Sequence, residues 1–338
     1  MTGSARPDTA DAAGTIRSTR PVRGTIAARV ATAVAACVLT LAALALAGCG
    51  SKTAGLSPAP AAVPTASFPI TVTDDASRTI TLKAAPKRIV SLAPAGTEIL
   101  FALDQGDRVV GVTSYDDYPS QVASITKVGD FAGPNVEAVA AAKPDLIIAT
   151  SGVQSDVVAK LEALGATVVV LDPQSLEGVY RDIESIGKLT GSSAKAAQVV
   201  GGMKAEVTTV QKSVADSPTV TTFLEIAQNP LFTAGTGTLS SELITLAGGK
   251  NVVTQPGYVS YSVEQLIKAD PQVYLATKGS MSDPKAVDTR PGYRQLTAVK
   301  DGRVVILDDN LVSRGGPRIV EGLKQIAAGL HPGAVEGQ

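Results

Sequence analysis

This chain contains no tryptophan, one histidine (His331) and two cysteines (Cys37 and Cys49) in 338 residues, and aromatics make up only 4% of it. One histidine cannot build the histidine clusters expected of a zinc or manganese receptor. His331 stands beside Pro332 and reads as an exposed residue closing the last helix. A G-x-S-x-G elbow, a G-K-[ST] phosphate loop and an H-E-x-x-H helix are all absent, which removes the usual sequence marks of hydrolases and nucleotide enzymes. No Lys/Arg cluster interrupts a chain of net charge −1, so nucleic-acid binding is not expected. Two adjacent acid pairs remain, Asp116-Asp117 and Asp308-Asp309. In loops, such carboxylates are expected to be solvated. A secreted hydrolase working through an acid pair in a cleft is the alternative they leave open.

What is present begins with an address. Arg17, Arg20, Arg23 and Arg29 precede an apolar run from Val30 to Ala47, broken only by Thr32 and Thr40, that ends in Leu46-Ala47-Gly48-Cys49. A basic region, an apolar core and small terminal residues make a secretory signal over 1–48. The final four residues resemble the bacterial lipoprotein cleavage box. That resemblance implies lipidation of Cys49 as the first mature residue, and multiple acyl chains give stable anchoring to the outer face of the cell membrane. With Cys37 lost in the signal, no pair is left to oxidise. Removing 1–48 moves the net charge from −1 to −4. Residues 49–67, rich in Ser, Thr, Ala and Gly with Pro58, Pro60 and Pro64, cannot bury a core and are expected to be a flexible tether.

The body carries a repeat. Val136-Glu137 to Ala149-Thr150 aligns without gaps on Val263-Glu264 to Ala276-Thr277, with identical Val, Glu, Ala, Pro, Ala and Thr. Each copy reads as a short helix, a proline break and a buried strand. Around them, strands at 88–92, 108–113, 146–149, 167–171, 220–225, 273–276 and 304–307 alternate with helices near 97–103, 155–164, 176–189 and 318–330. A hairpin is expected at 70–82. This pattern predicts an α/β protein of two similar lobes, over 68–191 and 218–332. One long helix within 192–217 joins them, with Gly201-Gly202 as its weak point. A ligand cleft is expected between the lobes.

The few aromatics concentrate in Gly/Pro/Ser-rich segments: Tyr115 and Tyr118, Phe131 in Gly129–Gly133, Phe232 in Asn229–Thr233, and Tyr258 and Tyr261 in Pro256–Ser262. Such segments connect elements, where an α/β sheet holds its ligand. A fully covered aromatic buries on the order of 150–250 Å². At roughly 25 cal/mol per Å², even partial cover of several by one large ligand yields several kcal/mol before association costs.

Ser91-Leu-Ala-Pro-Ala-Gly-Thr-Glu98, Val110-Gly-Val-Thr-Ser-Tyr-Asp-Asp-Tyr-Pro119, Lys143-Pro-Asp-Leu-Ile-Ile148, Gly302-Arg-Val and Arg314-Gly-Gly-Pro-Arg318 together resemble the substrate-binding lipoproteins of ABC importers for cobalamin, ferric siderophores and haem. The likeness covers nearly the whole mature chain and is greatest to the cobalamin-binding members, through Ser-Tyr-x-Asp-Tyr-Pro and Asn-Pro-x-Phe-Thr. It implies no catalysis and no resident cofactor or metal, a monomer, and a large cofactor-like ligand, probed by Ala95, Tyr115, Phe232 and Arg314. Family tryptophan positions are occupied here by Phe131, Thr150 and Tyr258. Cobalamin or a related corrinoid is the implied ligand, with a ferric siderophore or haem as alternatives. Haem would need an axial donor, which with so little histidine falls to a tyrosinate such as Tyr258, Tyr261 or Tyr115. The resemblance also implies that Glu137 and Glu264 dock the two lobes onto the ABC permease subunits. Taken by itself, each glutamate fits a helix N-terminus, where the macrodipole favours an acid by about 0.3–1 kcal/mol.

Overall fold

A computed structural model describes residues 67–279 and 281–334. The expected signal, Cys49 and nearly all of the tether lie outside the described residues. The element order is β1 (Ile70–Thr73), β2 (Thr79–Leu82), β3 (Ile89–Ser91), α1 (Pro94–Ala102), β4 (Val109–Val112), α2 (Val136–Ala141), β5 (Leu146–Ala149), α3 (Ser155–Ala163), β6 (Val168–Val170), α4 (Leu176–Thr190) and α5 (Ser193–Val214). It continues with β7 (Val220–Gln228), β8 (Leu231–Ala234), α6 (Leu239–Leu246), β9 (Gly249–Asn251), β10 (Tyr258–Ser260), α7 (Val263–Ala269), β11 (Val273–Lys278), α8 (Thr297–Lys300), β12 (Val304–Asp308), α9 (Asp309–Val312) and α10 (Ile319–Leu330).

Two α/β lobes result. In the first, parallel strands run β4-β3-β5-β6, with Ile89 opposite Leu146 and Ile147 opposite Val168. In the second, β7 pairs in parallel with β9 on one side and β11 on the other, and β12 follows β11. The parallel order β9-β7-β11-β12 therefore repeats that of the first lobe. The antiparallel strands β8 and β10 extend the second sheet beyond this common core. The short Val/Ile/Leu runs form strands because both faces are covered, as parallel sheets require; all four residues of β5 are buried.

The repeat seen in sequence extends to the backbone. Its strands β5 and β11 lie in separate sheets. Its helices α2 and α7 are both capped by a side chain, Asn135 accepting from the Ala138 N–H and Ser262 from the Gln265 N–H. Both helices then leave through a non-glycine residue with positive φ directly before the proline, Lys143 at 47° and Asp270 at 40°.

A continuous core passes through both lobes along α4, α5 and α10, and two smaller clusters fill the outer faces of the sheets. Helix α5 crosses Gly201-Gly202 unbroken. Ala196, Val200, Met203, Val207, Val210 and Val214 form its buried stripe, and tertiary burial of such a stripe outweighs the propensity cost of glycine.

Candidate functional site

The first lobe offers the cleft the C-terminal ends of its strands. Past β3 come Ala93–Gly96, past β5 Thr150, and past β6 Leu171–Gln174. The second lobe brings Leu239 at the start of α6, Tyr258 on β10 and Ser313–Gly315 after α9. Together with Phe131 they enclose a cavity of about 170 Å³. Ligand pockets usually measure about 300–1,000 Å³, so a large ligand needs more room than this cavity offers.

Gln154 organises the first-lobe side. It is fully buried, and its Nε2 donates to the Leu92 and Phe131 carbonyls, both at 2.7 Å, while its Oε1 accepts from the Thr150 N–H at 3.0 Å. One amide thus ties the exits of β3 and β5 to the Phe131 loop. Tyr115 stacks at a tilt on Phe131, ring centres 6.3 Å apart, and remains 51% exposed. Tyr258 sets its hydroxyl 3.5 Å from that of Ser240, and burial raises its pKa.

Across the seam the contacts are ionic. Glu98, on the buried side of α1, receives Arg318 in a fork, Nε to Oε2 at 2.9 Å and Nη2 to Oε1 at 2.6 Å. Arg314 adds Nη1 to Glu98 Oε1 at 3.2 Å, Nη1 to Asp117 at 2.6 Å and Nη2 to the Tyr115 carbonyl at 3.3 Å. The Arg318 guanidinium lies 3.8 Å over the Tyr118 ring, a cation–π contact. Desolvation would raise the Asp117 pKa, but the Arg314 hydrogen bond and charge outweigh it and hold the carboxyl low. The Glu98 hydrogen bonds push Arg318 further up.

Of the residues singled out from sequence, the structure gathers Ala95, Phe131, Tyr258 and Arg314 around this cavity, with Tyr115 on its aromatic margin. Phe232 lies elsewhere, lining an open depression of about 750 Å³ with Gln228, Pro230 and Met281. The expectation that Phe232 and Tyr258 sit in connecting loops is corrected: they occupy β8 and β10, which pair with each other. Aromatics in short strands beside glycine and proline carry too little alternation to be read as strands. Tyr261 packs on Phe223, ring centres 5.5 Å apart. Glu137 and Glu264 stand exposed on the first turns of α2 and α7, and hydrogen bonds from its own N–H and from Ser262 keep the Glu264 pKa low.

Two further expectations fail. His331 is buried, 7% exposed, with Nε2 unpartnered among the described residues. The α10 terminus folds it over Gly248, whose φ of 81° and lack of a side chain make the space. The acid pairs depart most from the solvated expectation at Asp116, while Asp117 and Asp308 are exposed and Asp309 is half-buried. Asp116 is buried and accepts from the Thr97 and Thr113 hydroxyls, and burial raises its pKa. Asp117 belongs to the seam. Asp308 caps α9 through the Asn310 N–H at 3.0 Å, and Asp309 takes the Ser313 hydroxyl at 2.6 Å. Asp172, Gln174 and Leu239 escaped the sequence reading, although Asp172-Pro173 directly follows the β6 run, a signal that could have found it.

A family model described as periplasmic binding protein matches residues 89–311. The chain belongs to that family. It is a family of binding proteins, and this protein is not an enzyme. It is 38% identical over 303 residues to the uncharacterized ABC transporter substrate-binding lipoprotein YvrC of Bacillus subtilis, covering 87% of this chain and 95% of that one. It is 31% identical over 281 residues to a cobalamin-binding protein of Halobacterium salinarum, covering 78% and 75%. Among solved structures, a periplasmic heme-binding protein of Pseudomonas aeruginosa superposes with a TM-score of 0.68 at 27% identity, over 73% of this chain and 94% of that one.

Proposed function

We propose that this periplasmic binding protein captures cobalamin or a related corrinoid in the seam between its lobes and hands it to an ABC permease. The coarser role, substrate-binding protein of an ABC importer in the cobalamin, siderophore and haem group, follows from family membership. The corrinoid reading is carried by the cavity wall: apolar and aromatic surface from both lobes, Ala95, Phe131, Leu171, Leu239 and Tyr258, converges on one space, which suits a broad ring with an amide rim. Likeness to the Halobacterium cobalamin-binding protein supports it. Haem and a ferric siderophore are the alternative ligands, and haem would take its axial donor from Tyr115, Tyr258 or Tyr261. Glu137 and Glu264, repeated one per lobe on equivalent helices, are the proposed permease contacts, where interface charge sets orientation and capture rate. Acylated Cys49 is the proposed anchor at the outer face of the membrane.

Titrating the protein with cyanocobalamin, haemin and ferric siderophores while following absorption tests the ligand. A stoichiometric spectral change with cyanocobalamin, the ligand remaining chemically intact, is expected. Binding of haemin or a ferric chelate without cyanocobalamin overturns the corrinoid reading, and turnover of any of them overturns the binding role.

A further inference from the structure

We infer that the cleft selects bulky ligands without net negative charge, and that Glu98 with Asp117 sets this selectivity by neutralising the guanidinium that faces the cavity. The inference rests on the cleft proposed above as the binding site, but not on the ligand being a corrinoid. Among the described residues, two charged side chains line the cavity, Arg314 and Asp172. Arg314 is the group an anionic ligand would seek. Its Nη1 is already held by Asp117 at 2.6 Å and Glu98 at 3.2 Å, and its Nη2 faces the Tyr115 carbonyl at 3.3 Å. The next guanidinium, Arg318, is committed to both oxygens of Glu98. Two cations and two carboxylates therefore cancel within one cluster, and the Glu98 side chain, 2% exposed, is too deeply set for a ligand to displace easily.

Asp172 is the opposite case. It takes the Ser151 hydroxyl and the Gln174 side-chain amide, yet among the described residues no Lys or Arg forms an ion pair with it. The residual charge at the wall is negative. Among the described residues lining this cavity, a polyanionic chelate meets no cation without an ion-pair partner and one carboxylate that lacks one, and it loses its hydration in entering. An uncharged corrinoid with an amide periphery, or a neutral or cationic ferric hydroxamate, meets neither penalty. Arg314 thus acts as a fixed hydrogen-bonded wall element whose position depends on Glu98 and Asp117.

The test is calorimetric titration of the full-length protein with three probes: cyanocobalamin, a cationic ferric trihydroxamate and a trianionic ferric tricatecholate. The tricatecholate should bind roughly 100-fold more weakly than the better of the other two, as expected when charge is left unpaired in a partly buried site. Tricatecholate affinity equal to or above theirs overturns the inference. Hydroxamate binding without cyanocobalamin would defeat the corrinoid reading and leave this one standing. In Asp117→Asn, a half-exposed position that should not disturb folding, and in Glu98→Gln, the tricatecholate should gain about 10-fold, and high salt should erase the gain. No gain in Asp117→Asn, or a gain that persists in high salt, removes the carboxylates from the role.

Discussion

Leu176 donates its backbone N–H to Glu242 Oε2 at 2.8 Å, so a side chain on α6 of the second lobe caps the first turn of α4 in the first. The bond spans the seam and satisfies one of the four amides a helix start leaves open. Replacing Glu242 with Ala should cost about 0.5–2 kcal/mol, and Gln, which keeps an acceptor, should cost less. Thermal unfolding checks this: a lowered Tm in Glu242→Ala that Glu242→Gln largely restores is expected, and equal Tm values for all three proteins would refute the cap.

Gln154→Met preserves volume but removes the amide that joins Leu92, Phe131 and Thr150. Three backbone groups lose their partner, at about 1–3 kcal/mol for each that stays buried. Stability should fall, and ligand affinity should fall with it as the Phe131 loop loosens. A variant of unchanged ligand affinity would show that this loop position does not matter to the cleft.

Asp182 lies buried on α4 beside Asp75, and one of its oxygens finds no partner among the described residues. Burial, then the Asp75 charge, raise its pKa to about 8. Between the ordinary carboxylate value and that one, the folded state holds a proton that the unfolded state has released. Stability should therefore decline as pH rises from about 4 to about 8 and level off above. Asp182→Asn should flatten the decline, which unfolding in denaturant across this pH range will reveal. A slope identical to the parent's would mean that Asp182 is ionised in the fold.

Tyr258→Ala and Phe131→Ala should each weaken ligand binding by roughly 10- to 100-fold while the protein stays folded, since aromatic anchors dominate such sites. Phe232→Ala, in the separate depression, should matter less. The reverse ranking by calorimetry would move the ligand to the Phe232 side.

Glu137→Ala with Glu264→Ala should abolish uptake in cells while the purified protein keeps its ligand affinity within a few-fold. Both residues are exposed on first helical turns, so each change should cost no more than about 0.3–1 kcal/mol and leave the protein folded. Normal uptake by the double variant would end the docking proposal.

The lobes were legible because buried parallel strands write themselves as Val/Ile/Leu runs, and because the copy starting at Val136 recurs at Val263. The αL exits at Lys143 and Asp270 were not legible, since nothing in either residue type requires positive φ. The antiparallel pair β8–β10 was missed for want of alternation, and with it the true setting of Phe232 and Tyr258.

By itself, the sequence determined that this is an α/β protein of two similar lobes with few aromatics and a single histidine. Local patterns record burial and punctuation, and those suffice for the elements and their repetition. Only the tertiary structure decided that Glu98 meets Arg314 and Arg318, that Gln154 ties three loops together, and that Asp182 is buried beside Asp75. Such pairings join residues tens to hundreds of positions apart. Their energies depend on distance and desolvation, which exist only once the chain has folded.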